Sequence, residues 1–503
     1  MRYRRSLSAL LALLLLVPSI VSCSPSGSGA DTTDTNTLGT DNPAGGNSVS
    51  AEETEETEVP LDLPDRDFGG QNFHFYVMGI ERNANNYSVE IFSEEQNGEV
   101  INDAVYTRNL NLSEAWNYTI TEKPSASGES LSATIEQQVT AGDDTYQVAM
   151  LNLTDGSALM TKGMLSDLTQ MPHMDMSKPW WDSTIAEDLT IGGRQLAAMG
   201  DINIMDNNAT WAVFFNKKLL VDNGLDMPYT MVNEGTWTYD QFHGMSQAVA
   251  TDLDGNGSMD DQDLWGTVGA AENTTFMFFS SGERFTEKDA DDIPQLKPLS
   301  DRTYSVLEAI FAIQCDNEST LLVENAQKSY NNAWSDLIRA NFRNDLALFY
   351  VAGLLTYTLM REMESEYGLL PLPKLDEAQS AYCTTINQGN CSTVTVPISC
   401  QDPDAVGFML ETLAYESRST LTPAYFDVAL QRKYMSDEES RGMLSIILEN
   451  RTIDMAVAFG WGNMFGTLSG MTTSKNTDFA SQYAGMSASM ESAMQKFVES
   501  VIG

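Results

Sequence analysis

Residues 145–165, TYQVAMLNLTDGSALMTKGML, decide the fold class. Thr145 to Leu153 is a short apolar run, the pattern of a strand covered on both faces. Ser157 to Leu165 then reads as the helix that follows it. The same alternation recurs outward along the chain. Before it come a β-rich stretch, Asn72 to Val77 (NFHFYV), and a helix from Asn102 to Tyr118 with Ala104, Val105, Leu112, Ala115 and Trp116 at helical spacing. After it, Trp211 to Asn216 (WAVFFN) is a strand, and KKLLVDNG is a helix stopped at Gly224. Thr238 caps the helix beginning TYDQFHGMSQAVA. Leu264 to Val268, Ala347 to Tyr350, Tyr367 to Pro371 and Val394 to Ile398 read as strands. Pro403 to Tyr415, Asp437 to Leu448 and Met486 to Ile502 read as helices. Strands alternating with helices predict α/β layers around a parallel sheet.

Charge narrows the function. The 503 residues hold 71 Asp+Glu against 28 Lys+Arg, a formal charge of -43, with 42% hydrophobic residues. The length suggests two or three domains, and the apolar content suffices for their cores. The acidity argues against nucleic-acid binding, which needs clustered Lys and Arg for phosphates. It argues equally against docking on anionic lipid through a basic face, and it favours a neutral or cationic ligand.

The N-terminus reads as an address. Arg2, Arg4 and Arg5 precede a short apolar run, Ala9 to Val17, below the ~20 residues of a membrane span. Ile20-Val21-Ser22-Cys23 follows, and the whole resembles a bacterial lipoprotein signal. The expectation is a signal peptide over 1–22, lipidation of Cys23 and an extracytoplasmic, membrane-anchored product. Residues 23–60 are polar and acidic, closing with Glu52, Glu53, Glu55, Glu56 and Glu58, and predict a flexible tether. Four further cysteines remain: Cys315, Cys383, Cys391 and Cys400. Export permits disulfides. Cys391 and Cys400 flank a predicted strand of ~30 Å, too long for the ~7 Å reach of a bridge. Cys383 and Cys391 are close enough in sequence to close the loop TTINQGN.

An ordered set of short motifs carries a family resemblance. They are Lys178-Pro179-Trp180-Trp181, Phe215-Asn216-Lys217-Lys218-Leu219, Gly235-Thr236-Trp237-Thr238-Tyr239-Asp240-Gln241-Phe242, Leu370-Pro371-Leu372-Pro373-Lys374 and Pro423-Ala424-Tyr425-Phe426-Asp427. With the lipobox before them, these resemble the carbohydrate-binding solute-binding lipoproteins of ABC importers, family 1, from about Asp65 to the C-terminus. The resemblance implies a two-lobed, periplasmic-binding-protein-like (type II) fold with hinge-linked lobes. Lobe one would be 66–203 with 392–450, and lobe two 204–391 with 451–503. It further implies a monomer that closes on a solute, most simply an oligosaccharide, and delivers it to permease subunits without covalent chemistry.

Sugars present apolar C–H faces and hydroxyls, so their sites pair aromatic platforms with polar side chains. Trp211, Trp334, Tyr350 and Trp461 fall where the family places its cleft; Trp116, Trp180, Trp181 and Trp237 read as packing. Ligands of open α/β sheets sit outside the carboxyl ends of strands. That points to Arg82, Asn85 and Asn86 after the first strand, and to Asn152, Thr154 and Asp155 after TYQVAML. A second signal is DLDGNGSMDDQD, residues 252–263. Asp252, Asp254, Asn256, Asp260 and Asp263 stand at EF-hand positions 1, 3, 5, 9 and 12, with Gly257 at 6 and Ser258 offering its carbonyl. This predicts a structural Ca²⁺ in lobe two, weakened by Asp rather than Glu at position 12.

Catalytic patterns are missing from the sequence. His74, His173 and His243 are isolated, and no HExxH, Walker A, GxGxxG or GxSxG is present. Two alternatives accompany the binding-protein reading. One is a surface glycan-degrading enzyme; the other is a SusD-like glycan-binding lipoprotein, whose fold would be nearly all helical.

Overall fold

The computed structural model describes residues 59–430 and 438–503. The expected signal peptide, Cys23 and the tether up to Glu58 lie outside the described residues. The strands run β1 (Gln71–Val77), β2 (Tyr118–Pro124), β3 (Val148–Leu151), β4 (Trp211–Asn216), β5 (Trp265–Gly269), β6 (Thr286–Lys288), β7 (Pro294–Leu296), β8 (Thr320–Leu322), β9 (Ala347–Gly353), β10 (Tyr367–Leu370), β11 (Thr384–Thr385), β12 (Thr393–Thr395) and β13 (Arg451–Thr452).

Two sheets organise them. The first has the order β12-β3-β1-β2, and the second β10-β4-β9-β5-β8. In the first, β1, β2 and β3 are parallel and β12 joins β3 antiparallel. In the second, β5 is parallel to β8 and β9, while β4 runs antiparallel to β9 and β10. The helices between strands cover both faces, as parallel pairing requires. Alternation along each strand then divides side chains between two cores. Phe73, Phe75 and Val77 enter one and Tyr76 the other. In β4, Trp211, Val213 and Phe215 face one core and Ala212 and Phe214 the other. The SusD-like alternative does not survive two sheets of this size.

The predicted elements appear with shifted limits. The helix expected from Asn102 spans Val100–Trp116, ends at Asn117 in the left-handed region (φ 54°), and gives way at once to β2. The expected range ran into that strand because Tyr118 sits at helical spacing, i+3, from Ala115. The helix expected at Ser157 starts at Leu153, because Asn152 caps it. The final helix is longer than expected, Phe479–Ile502.

The chain passes between the sheets three times, and the crossings hold one another. Thr210 bridges Ile386, Asn387 N–H donates to the Ala209 carbonyl (2.9 Å), and β11 pairs with β13. Helix Glu438–Glu449, expected with lobe one, packs instead on β10 of the second sheet, where Ser440 and the Tyr229 hydroxyl lie 2.9 Å apart. All four cysteines of the described body are free, so TTINQGN is not closed by a disulfide.

At the crossings sits a buried ion cluster. Arg451 donates to Asp182 (2.6 Å), Asp206 (3.0 Å) and Asn207 (2.7 Å). Burial opposes the guanidinium charge, but the two carboxylates outweigh it and raise the Arg451 pKa. Removing one member of such a cluster strands the others' charge, at ~3–5 kcal/mol, whereas replacing the whole group by apolar side chains is near neutral. Arg451→Met should therefore lower the urea midpoint by an amount equivalent to ~3–5 kcal/mol, and adding Asp182→Leu and Asp206→Leu should recover most of it. A single variant as stable as the wild type would contradict this account of the hinge.

Candidate ligand-binding groove

Opposing loops form a groove between the two sheets. From the first sheet comes the loop after β1. A Cβ at Gly79 would lie 2.2 Å from the Ser125 carbonyl oxygen, so only glycine lets the loop turn there. The loop then carries Asn83, Asn85 and Asn86. From the second sheet come the ends of β4, β5 and β9 and the segment around Trp334.

The groove has two chambers. The inner, of about 330 Å³, is lined by Asn85, Asn86, Trp211, Glu272, Trp334 and Tyr350, with Asn332, Arg339 and Asn390 among its other residues. The outer, of about 790 Å³, is lined by Val89, Phe92, Val100, Tyr357, Arg361 and Tyr425 among others. Asn85, Asn86, Asn208, Leu355 and Leu359 line both, so the chambers are continuous. Together they fall in the size range of small-molecule sites.

Each aromatic wall has a local cause. Trp211 begins β4, stacks on Phe276 (centroids 3.9 Å apart, planes at 17°) and donates from Nε1 to Asn273 Oδ1 at 2.9 Å. Gly353 makes room for it, since a Cβ there would lie 3.2 Å from the indole. Trp334 opens a π-helical turn, Trp334–Ile338, and Arg339 N–H donates to the Trp334 carbonyl. An i→i+5 bond brings residues five apart over one another, so Trp334 and Arg339 share a side of the helix. The Arg339 Nε is buried without a hydrogen-bond partner. By contrast, the amides of Asn85, Asn86 and Asn390 are engaged by no side chain or backbone group among the described residues, and are free for a ligand.

The groove holds one carboxyl with a displaced proton affinity. Glu272 follows β5 at the start of helix Asn273–Ser280. Burial first, and the neighbouring Glu324 second, push its pKa from the ordinary 4.5 up to about 7.

The structure sorts the expected contact residues. It brings Asn86, Trp211, Trp334 and Tyr350 together in the inner chamber. Arg82, Asn152 and Asp155 form a separate latch. Arg82 Nη2 reaches Asp155 Oδ2 at 3.1 Å, Asn152 Oδ1 accepts the Asp155 N–H at 2.7 Å, and Asn152 Nδ2 donates to Asp155 Oδ2 at 3.0 Å. That latch pins the β1 loop to the helix after β3 and commits the polar groups of Asn152 and Asp155, while Arg82 Nη1 stays buried without a hydrogen-bond partner. Trp461 is a correction. Despite its Gly-Trp-Gly setting it packs against Phe459 and Phe497 and is absent from the walls of both chambers. Glu272, Asn332, Arg339, Asn83, Asn208 and Asn390 escaped the sequence reading. The strand-end rule, applied to the predicted strand at Leu264–Val268, would have found Glu272. The π turn that presents Arg339 has no signature in the sequence.

The acidic loop stands elsewhere in the second lobe. One oxygen each of Asp252, Asp254 and Asp263 lie within 4.8 Å of one another. Gly255 and Gly257 take positive φ (70° and 83°). Asp252 accepts the Gly257 N–H at 2.7 Å and the Gly255 N–H at 2.8 Å, bonds that lower its pKa. Asp263, 1% exposed, accepts N–H groups from Leu253 (2.8 Å) and Asp260 (2.7 Å). Asn256 and Asp260 turn their oxygens to the N–H groups of Ser258 and Gln262 instead. The loop leads into β5, not into a second helix.

No protein-family model and no curated protein matches the chain. Solved structures do. An ABC substrate-binding protein from Listeria monocytogenes, in complex with cycloalternan, is 12% identical, with 86% of this chain and 98% of that one covered and a TM-score of 0.53. A sugar transporter from Rhizobium etli in an open conformation is 15% identical, with 86% and 98% covered and a TM-score of 0.54. A cyclo/maltodextrin-binding protein complexed with maltotetraose is 13% identical, with 86% and 96% covered and a TM-score of 0.54. At these identities the likeness establishes the fold: the described body is a two-lobed α/β binding-protein fold, as the motif order implied.

Glu272 makes stability depend on pH. A carboxyl whose folded pKa is raised is most favourable below about pH 4.5, and that advantage is lost as pH rises through about 7. The shift corresponds to about 3 kcal/mol, and the helix N-terminus returns up to ~1 kcal/mol to the charged form. Glu272→Gln should therefore be more stable than the wild type by about 2 kcal/mol at pH 8, with no difference at pH 4, in paired urea titrations. Equal stability at both pH values would contradict the assigned burial of this carboxylate.

Proposed function

We propose that this protein is the solute-binding component of an ABC importer and captures an oligosaccharide by closing its two lobes. The observation that carries the reading is the inner chamber. Trp211, Trp334 and Tyr350 stand there beside the uncommitted amides of Asn85, Asn86 and Asn390, in a binding-protein fold. Aromatic faces suit the C–H faces of a sugar ring, and amides both donate to and accept from hydroxyls. The named neighbours support the class: one is complexed with cycloalternan, another with maltotetraose. Cleft closure needs only a ligand that binds the closed state more tightly than the open one. The function is therefore capture and delivery to a permease rather than turnover.

The same proposal places the body outside the cytoplasm, as a monomer held to a membrane by a lipid on Cys23. No described helix is long and apolar enough to span a bilayer. The loop 252–263 is proposed to hold a structural Ca²⁺, with Asp252, Asp254 and Asp263 as the carboxylate ligands. Three acids this close repel one another unless a cation neutralises them, and oxygen donors on a flexible loop suit Ca²⁺ better than the strict octahedron of Mg²⁺.

Two outcomes follow. A glycan screen by calorimetry on the folded protein should find an oligosaccharide whose binding also changes tryptophan fluorescence. Trp334→Ala should weaken it by ~1–3 kcal/mol, the scale of one lost aromatic anchor. A broad panel with no binding would refute the sugar reading. Calcium at a hundredfold excess over its Kd should stabilise the fold by ~2.7 kcal/mol, seen as a higher melting temperature reversed by a chelator. The double variant Asp252→Ala, Asp254→Ala should lose that response. A wild type indifferent to millimolar calcium would rule the site out.

A further inference from the structure

We propose that Glu272 makes the inner chamber selective for a saccharide carrying a protonated amine. The inference rests on the groove being a sugar site and names the chemistry that site prefers.

Among the described residues the Glu272 carboxylate accepts no hydrogen bond and joins no ion pair, although it lines the chamber. A carboxylate partly withdrawn from water is costly unless something pairs with it. Its surroundings do not supply a cation. The neighbouring charge is another acid, Glu324, whose Oε2 is held by the Ala271 N–H at 3.0 Å. Arg339 is the cation of the chamber, and its charge acts on the Tyr350 hydroxyl, but among the described residues no ion pair joins it to Glu272. The wall beside Glu272 is therefore short of positive charge.

A neutral sugar can donate hydroxyl hydrogens to Glu272 but brings no charge. An ammonium brings both hydrogens and charge, and charge-assisted bonds are roughly twice as strong as neutral ones. The rest of the wall also favours a cation. Trp211, Trp334 and Tyr350 line the same chamber, and the electron-rich faces of such rings attract ammonium groups. Arg339, a donor without acceptors, is left for the ring and hydroxyl oxygens of the same ligand. Bound amine would hold Glu272 ionised at neutral pH, where the empty site shares its carboxyl between the two forms.

The test is a glycan array carrying neutral oligosaccharides, their N-acetylated forms and the corresponding free-amine forms, probed with the full chain near pH 7 and followed by calorimetry on matched pairs. The wild type should bind a free-amine form about tenfold more tightly than its neutral counterpart. Glu272→Gln, with its fold checked by thermal melting, should lose that preference and bind the free-amine and neutral forms within about threefold of each other. Strongest binding to neutral or N-acetylated forms by the wild type would overturn the proposal and leave the sugar reading standing. So would an unchanged amine preference in Glu272→Gln. No binding to any oligosaccharide would overturn both.

Discussion

The guanidinium of Arg451, buried between Asp182 and Asp206, is the interaction from which the rest of the molecule takes its geometry. It stands in β13, which pairs with β11, and its partners are Asp182, the cap of helix Ser183–Leu189, and Asp206 on the first crossing. The turn Met205–Asn208 links this cluster to the groove. Asp206 and Asn207 face Arg451, and the next residue, Asn208, lines both chambers. Trp211 follows three residues later as the first residue of β4. One buried charge cluster thus fixes the floor of the groove, while the walls remain on separate sheets.

That division suits a protein that must hold a ligand between two bodies. The first sheet contributes amides on a loop pinned by the Arg82–Asp155 latch. The second contributes aromatic rings fixed by packing and by defined hydrogen bonds, as with Trp211 on Phe276 and Asn273. Rings on one side and short polar side chains on the other set apolar edges of the chamber opposite groups that can satisfy hydroxyls. The acid and the arginine of the inner chamber add a polarity that a purely stacking site would lack.

Much of this was legible in the sequence, and the failures are instructive. Strands such as WAVFFN and TYQVAML announced themselves because both faces are buried, which leaves an unbroken apolar run. Trp211, Trp334 and Tyr350 were expected at the cleft from the family resemblance, and all three line the inner chamber. Trp461 was misplaced because flanking glycines suggest a turn, yet the turn tucks its indole under the C-terminal helix against Phe497. Asn152 and Asp155 were read as ligand contacts because they follow a strand, but helix capping and the Arg82 pair consume their polar groups. Arg339 depends on a π turn, a feature of packing that local sequence does not specify.

The central claim is that one ligand bridges both sheets across this groove. Hydrogen exchange read by mass spectrometry, on the full chain with and without an oligosaccharide selected by binding, tests it most directly. The account predicts simultaneous slowing of exchange in the β1 loop around residues 83–90 and in the segment around residues 330–340, with the second-lobe loop 252–263 unchanged. Protection confined to one of the two walls, or found only away from both, would contradict it.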